Sequence, residues 1–201
     1  MHRLPRLPLS RRPDRTATPP ADPRQPARRA ALLLAACVLA PAAPAGAGTP
    51  GEVPVGQRLR DATLQGLNGP PRALSAYRGR PLVINVWASW CGPCRAETAS
   101  LERLAWSEAG SHFTVIGIST DDRPQAARTW LRQSNATLSH FIDEGLLMEN
   151  MLGATHLPLT VLVDADGRVR DKVVGAREWD DDASVTLIAR ALGNPRIALR
   201  R

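Results

Sequence analysis

The stretch "PLVINVWASWCGPCRAE", from Pro81 to Glu97, decides the fold. Its first half is an almost uninterrupted apolar run rich in β-branched residues, which is typical of a strand buried on both faces of a sheet. Its second half holds Gly92 and Pro93, which favour the first turn of a helix. The sequence therefore predicts a central strand followed by a helix, with Cys91 and Cys94 where the two meet.

The spacing of the two cysteines allows a metal site, a structural disulfide or a redox couple. A closed zinc site needs four ligands, and the chain beyond its first fifty residues adds only three histidines, which lie on separate segments. A disulfide that closes so short a loop adds little stability, because the loop-closure entropy grows with loop length. The redox interpretation is therefore preferred, and no metal is expected.

The predicted helix gives the two cysteines different roles. Unsatisfied N–H groups and the helix dipole favour negative charge at Cys91, where the pKa of a thiol can fall from about 8.5 to about 7. Cys94, one turn further on, is sheltered and can attack the mixed disulfide that Cys91 forms with a substrate. Pro93 fixes the backbone between them and offers no N–H to the sulfur. Cys91 is the predicted nucleophile and Cys94 the resolving thiol.

Segments on both sides of the motif predict an α/β fold. Upstream, Asn68-Gly69 predicts a small hairpin whose second strand is weakened by two prolines. Downstream, the pattern predicts a strand, a helix, a short helix, two strands joined at a turn, and a last helix. We expect a central mixed β-sheet flanked by helices on both faces, with an N-terminal β-hairpin extension.

Aspartates are expected to begin two of these helices. Asp121 or Asp122 is placed to cap the helix that contains Pro124 in its first turn. The run Asp180–Asp182 is placed to cap the last helix, where negative charge opposes the helix dipole.

Residues 1–47 have the pattern of a secretory signal peptide. An arginine-rich start precedes the apolar run Ala30–Ala40 and small residues up to Ala47. The run is shorter than the roughly 20 residues that cross a bilayer. Lipidation at Cys37 and an uncleaved membrane anchor are the alternatives. All three predict a periplasmic location, with residues 48–55 as a tether and residues 56–201 as the domain.

The net charge of +7 does not indicate nucleic-acid binding. Residues 1–48 hold eight arginines and two aspartates, a net charge of +6, which leaves only +1 for the rest of the chain. The predicted domain therefore has no basic excess, and nucleic acid is not an expected partner.

Two motifs together resemble the thioredoxin-like oxidoreductases. They are "WCGPC" at Trp90–Cys94 and "LPLTVLVDADG" about sixty residues later. Export, Asn85, Glu97 and the stretch "GAREWDD" make the chain most similar to the TlpA/ResA/CcmG-type extracytoplasmic enzymes, in the TlpA-like branch. The resemblance covers roughly residues 52–193 and implies a thioredoxin-like fold.

The resemblance also implies roles for individual residues. Pro158 would be the cis-proline that faces the disulfide, and Trp90 would pack beside the disulfide. Glu97 would be the acid–base group for Cys94, with Asn85 as a supporting residue. Thioredoxin itself usually has an aspartate at the position of Asn85 and a lysine near Gly117, so its proton relay is absent.

The function implied by the resemblance is the reduction of disulfides in client proteins. The dipeptide "GP" between the cysteines accompanies the reducing members of such families. Clients would be apocytochrome c, copper-delivery proteins or the copper site of an oxidase, and a membrane electron donor of the CcdA/DsbD type would re-reduce the enzyme. No cofactor beyond the disulfide is expected. A disulfide oxidase or isomerase and a copper chaperone that uses both thiolates are the alternatives.

Overall fold

The computed structural model describes residues 49–198. The predicted leader, including Cys37 and the cleavage position, lies outside these residues. The regular elements, in chain order, are β1 (Thr63–Gly66), β2 (Arg72–Ala73), β3 (Leu82–Trp87), α1 (Gly92–Trp106), β4 (Thr114–Ser119), α2 (Pro124–Gln133), β5 (Ser139–Ile142), α3 (Leu147–Leu152), β6 (Leu159–Val163), β7 (Val169–Val174) and α4 (Asp182–Ala191).

The seven strands form one mixed sheet in the order β2-β1-β5-β4-β3-β6-β7. Strand β3 runs parallel to β4 and antiparallel to β6, and all six of its residues are buried. This confirms the central strand that the apolar run predicts. The β1–β2 pair is the predicted hairpin, and β1 joins the sheet by antiparallel pairing with β5.

The side chains of β3 point alternately into two apolar layers, one on each face of the sheet. Val83 packs with Leu104 of α1 and Ile188 of α4, whereas Ile84 packs with Met151 of α3. Successive residues of a strand point to opposite faces of the sheet, so these helices cover both faces. The structure therefore confirms a thioredoxin-like α/β fold.

Two of the capping expectations have different outcomes. Asp181 caps α4 as expected, since its carboxylate accepts a hydrogen bond from Ser184 N at 2.7 Å. The expectation for α2 was wrong, because Arg123 is the capping residue and no side chain caps this helix. Asp121 instead accepts hydrogen bonds from the backbone N and Oγ of Ser89 at 2.9 and 2.6 Å, and from Ser119 Oγ at 2.7 Å.

The segment expected to be a tether is attached to the domain at Glu52 and Val53. Val53 is buried and its N–H donates to Met151 O at 2.9 Å. The Glu52 carboxylate accepts a hydrogen bond from Lys172 of β7, which lowers the pKa of Glu52. An apolar side chain and an ion pair thus hold residues 52–53 against the sheet, which composition alone did not reveal.

None of the helices among residues 49–198 is both long enough and apolar enough to span a membrane.

Candidate active site

Cys91 and Cys94 are joined by a disulfide at the point where β3 passes into α1. The S–S distance is 2.02 Å and the two Cα atoms are 5.3 Å apart. Cys91 is the N-terminal capping residue of α1, and its Sγ accepts a hydrogen bond from Cys94 N at 3.2 Å. Gly92 and Pro93 form the first turn, as the sequence predicts. A thiolate at Cys91 would therefore receive an N–H donor and the favourable end of the helix dipole.

The two cysteine residues differ in accessibility. The exposed fraction is 6% for Cys91 and 1% for Cys94. Cys91 lines a surface groove together with Gly92 and Pro93, whereas Cys94 does not reach it. This is the asymmetry that a nucleophile and a resolving thiol need.

The groove beside Cys91 combines apolar and acidic side chains. Trp90 forms part of its wall and is 71% exposed, so it is neither core filling nor shielded from solvent. Leu157 lines the groove as well, and the Leu157–Pro158 peptide bond is cis, as the resemblance implies. Pro158 itself is buried, and its carbonyl accepts from Gly175 N at 2.9 Å.

Two carboxylates, Asp122 and Glu149, complete the groove. The pKa of Glu149 is raised by partial burial and by the nearby charges of Asp143 and Asp122. Asp143 fixes the position of Glu149, because its carboxylate accepts hydrogen bonds from Met148 N and Glu149 N at 2.9 and 2.7 Å. The groove thus places negative charge and apolar side chains next to Cys91.

Glu97 lies inside the protein, one turn after Cys94, and is only 1% exposed. One carboxylate oxygen accepts from Asn85 Nδ2 at 2.8 Å. The other accepts from Trp179 Nε1 at 2.9 Å and from Arg177 N at 3.2 Å. Burial raises the pKa of Glu97, and these donors oppose the rise. A carboxyl in this position can hold a proton close to the resolving thiol, which a solvated helix residue could not do.

Sequence reasoning missed the partners that hold this carboxyl. Thr160 accepts from Asn85 Nδ2 at 3.1 Å, and Trp179 is fully buried with its indole N–H on Glu97. The stretch "GAREWDD" carried the signal for Trp179, but only as a mark of the family. Ser89 and Asp121, which connect the active-site turn to the loop after β4, were also missed because their contact spans 32 residues.

Replacing Glu97 by glutamine should slow turnover and stabilise the fold at neutral pH. A raised folded-state pKa means that the carboxyl's contribution to stability is complete below its unfolded pKa and is lost as pH rises through the folded value. Glutamine carries no charge, so this loss does not occur in the variant. Its side-chain NH₂ can donate to Asn85 Oδ1 if the side-chain amide of Asn85 turns by 180°, while its carbonyl oxygen accepts from Trp179. General acid–base groups contribute on the order of 10²-fold or more, so we expect a loss of about 10²-fold in turnover.

The measurements for this variant are urea unfolding at pH 7 and the pH profile of disulfide reduction. Glu144→Gln, which replaces an exposed glutamate just after β5, is the matched control. An unchanged pH profile in Glu97→Gln would show that Glu97 has no acid–base role.

This chain is similar in sequence to known proteins that are named for thiol–disulfide chemistry. A model of the Redoxin family matches residues 54–187. The thiol:disulfide interchange protein DsbE of Vibrio cholerae is 33% identical over 133 residues, which cover 63% of this chain and 70% of the relative. The thiol-disulfide oxidoreductase ResA of Bacillus cereus is 24% identical over 121 residues, covering 60% of this chain and 70% of the relative.

A solved structure of a similar protein has the same fold. The crystal structure of a putative thiol:disulfide interchange protein DsbE from Chlorobium tepidum superposes with a TM-score of 0.64 at 28% identity. The match covers 70% of this chain and 99% of that structure.

Proposed function

Because this chain belongs to the Redoxin family and is a thiol:disulfide oxidoreductase of the DsbE and ResA type, we propose that it works outside the cytoplasm as a reductant of client disulfides. Its sequence begins with the pattern of an export signal, and the proposed clients are proteins of cytochrome c or cytochrome oxidase copper-site assembly. A membrane electron donor of the CcdA/DsbD type would supply the electrons. The proposal needs no cofactor beyond the two cysteines.

The exposure difference between the cysteines supports the proposed order of steps. In the reduced enzyme, the Cys91 thiolate attacks one sulfur of a client disulfide, and the other client sulfur leaves as a thiolate that takes up a proton. Cys94 then loses its proton and attacks Cys91 Sγ, which releases the second client thiol and forms the Cys91–Cys94 disulfide. Two electrons pass to the client, and Glu97 is positioned to accept the proton from Cys94.

The acidic surroundings of the disulfide support the reducing direction, and this is the observation that carries the proposal. Asp122 and Glu149 line the groove with Cys91, and Glu97 is buried one turn beyond Cys94. Negative charge nearby disfavours a thiolate. The reduced dithiol is therefore less stabilised than in strongly oxidising enzymes, whose reduced form is the stable one.

The reduction potential of the Cys91–Cys94 pair tests the direction. We would equilibrate the full chain, with Cys37 replaced by serine, in glutathione redox buffers and measure the fraction oxidised by alkylation and mass spectrometry. A dedicated reductant should have a potential well below about −200 mV, close to the value of about −270 mV for thioredoxin. A potential near or above about −180 mV would assign the chain to the oxidases or isomerases instead.

The double variant Asp122→Asn/Glu149→Gln tests whether the acidic groove sets the reduction potential. Removing the two negative charges should stabilise the Cys91 thiolate and raise the potential. A potential that does not change would show that the acidic groove does not set the direction.

A further inference from the structure

A second cleft, separate from the acidic groove, adjoins the active-site helix at Arg95, the residue after Cys94. Its remaining polar lining comes from the active-site turn and from α2, and Ala126 and Trp130 are its apolar residues. The polar side chains are Ser89, Arg95, Arg123, Gln125, Thr129 and Gln133. Each of these side chains carries a hydrogen-bond donor, but the Ser89 hydroxyl already donates to Asp121, so the arginines, glutamines and Thr129 are the donors left for a ligand. No acidic side chain lines the cleft.

Both arginines of this cleft are available to a ligand. Arg95 and Arg123 are exposed, and within residues 49–198 their guanidinium groups make no ion pair and no hydrogen bond; only their backbone atoms are bonded. Other arginines of the domain are engaged: Arg103 pairs with Glu178 and Asp180, for example. Guanidinium groups pair well with carboxylates, which they can bind through two parallel hydrogen bonds.

The loop after β4 separates the cleft from the groove. Asp121 accepts two hydrogen bonds from Ser89, which lies just before Trp90 and Cys91. This contact holds the loop against the active-site turn. The next two residues then contribute opposite charges to different depressions, since Asp122 lines the acidic groove and Arg123 lines the cleft.

We propose that the cleft binds an acidic segment of the client polypeptide whose cysteine is attacked by Cys91. This inference rests on the proposed function and adds a feature of the client, its flanking charge. The acidic groove takes the cysteine and its apolar or cationic neighbours, while the cleft takes carboxylates on one side of it. Opposite charges on the two sides fix the direction in which the client polypeptide lies.

The distances available along α1 define where the acidic residues must be. Cys91 is the capping residue of α1 and Arg95 lies one turn further on, about 6 Å along the helix axis at 1.5 Å per residue. An extended polypeptide advances about 3.3 Å per residue. The carboxylates should therefore lie about two to five residues from the reactive cysteine of the client.

Three synthetic peptides test this inference. Each contains one cysteine as a mixed disulfide with methanethiol, followed after two residues by three glutamates, three glutamines or three lysines. The reduced full chain, with Cys37→Ser, should reduce the glutamate peptide about tenfold faster than the glutamine peptide at low salt, and the lysine peptide more slowly. The preference should disappear near 1 M salt, where the Debye length is about 3 Å.

Variants separate the cleft from the overall charge of the protein. In Arg95→Gln/Arg123→Gln, the ratio of the glutamate rate to the glutamine rate should fall to near one. In Arg190→Gln/Arg196→Gln, which removes two exposed arginines elsewhere, the ratio should remain that of the parent. An equal fall in both double variants, or no fall in the first, would overturn the inference. If the parent reduces none of the three peptides, the proposed function itself fails.

Discussion

Replacing Cys91 by serine should abolish the reduction of disulfide substrates, and replacing Cys94 by serine should leave a protein that captures its client and stops. Cys91 lines the groove, and its Sγ already accepts an N–H from Cys94. A hydroxyl remains protonated at neutral pH and is a poor nucleophile towards sulfur, so the loss in Cys91→Ser should be on the order of 10³-fold or more.

Cys94→Ser keeps the attacking thiol and removes the second step. The client is then held through a disulfide to Cys91, because no thiol is present at position 94 to release it. Both variants are made in the full chain with Cys37→Ser, so that the only remaining thiol is the one under study. Electrophoresis without reductant and mass spectrometry would identify the covalent complex. A complex that accumulates in Cys91→Ser instead of Cys94→Ser would reverse the two roles.

The parts of the fold that the sequence predicted depend on local patterns. The apolar run of β3, the Gly-Pro pair at the start of α1 and the Asn-Gly turn each act over a few residues. Their elements therefore appear in the structure close to where the pattern placed them. The family resemblance added the cis peptide bond at Pro158.

Contacts between distant segments were beyond sequence reasoning. The resemblance implied a role for Glu97, but only the contact with Trp179, 82 residues later, shows that its carboxyl is enclosed. Asp121 was expected to cap a helix, but Ser89 competes for its carboxylate from the neighbouring strand end. In each case the carboxylate accepts hydrogen bonds from donors that are distant in sequence and come close only in the folded chain. The residues next to it in sequence do not show which donors these are.

His140 is a residue whose environment the sequence also did not reveal. It lies on β5 and is 5% exposed. Its ring packs edge-on against that of Trp87, with 5.4 Å between the two ring centroids. Within the described part of the chain, its two ring nitrogens and the indole nitrogen of Trp87 have no hydrogen-bond partner. Gly117 makes the space, because a Cβ there would lie 2.1 Å from His140 Nδ1. The region where thioredoxin has a lysine is thus occupied by a buried imidazole.

Acidification should therefore weaken the fold through His140. Burial lowers the pKa of His140 from 6.5 to about 4, and the charge of Glu102 opposes this only in part. Because the folded-state pKa is the lower one, the stabilising contribution is complete above pH 6.5 and is lost as pH falls through about 4. The difference corresponds to about 3 kcal/mol in the free energy of unfolding.

Urea unfolding between pH 7 and pH 4 measures this loss. His140→Leu, or His140→Gln if leucine does not fit, should retain more of its stability on acidification than the parent, by about 3 kcal/mol at pH 4. Glu97 and Glu149 have raised pKa values and act in the opposite direction, but they are present in every variant and cancel in the comparison.

His156→Leu removes an exposed histidine as the matched control, and its stability should decline on acidification as much as that of the parent. Equal declines in all variants would show that His140 is not the group responsible. Trp87 belongs to the same apolar cluster as Cys91 and Cys94, so protonation of His140 would loosen the wall behind the disulfide as well as the sheet.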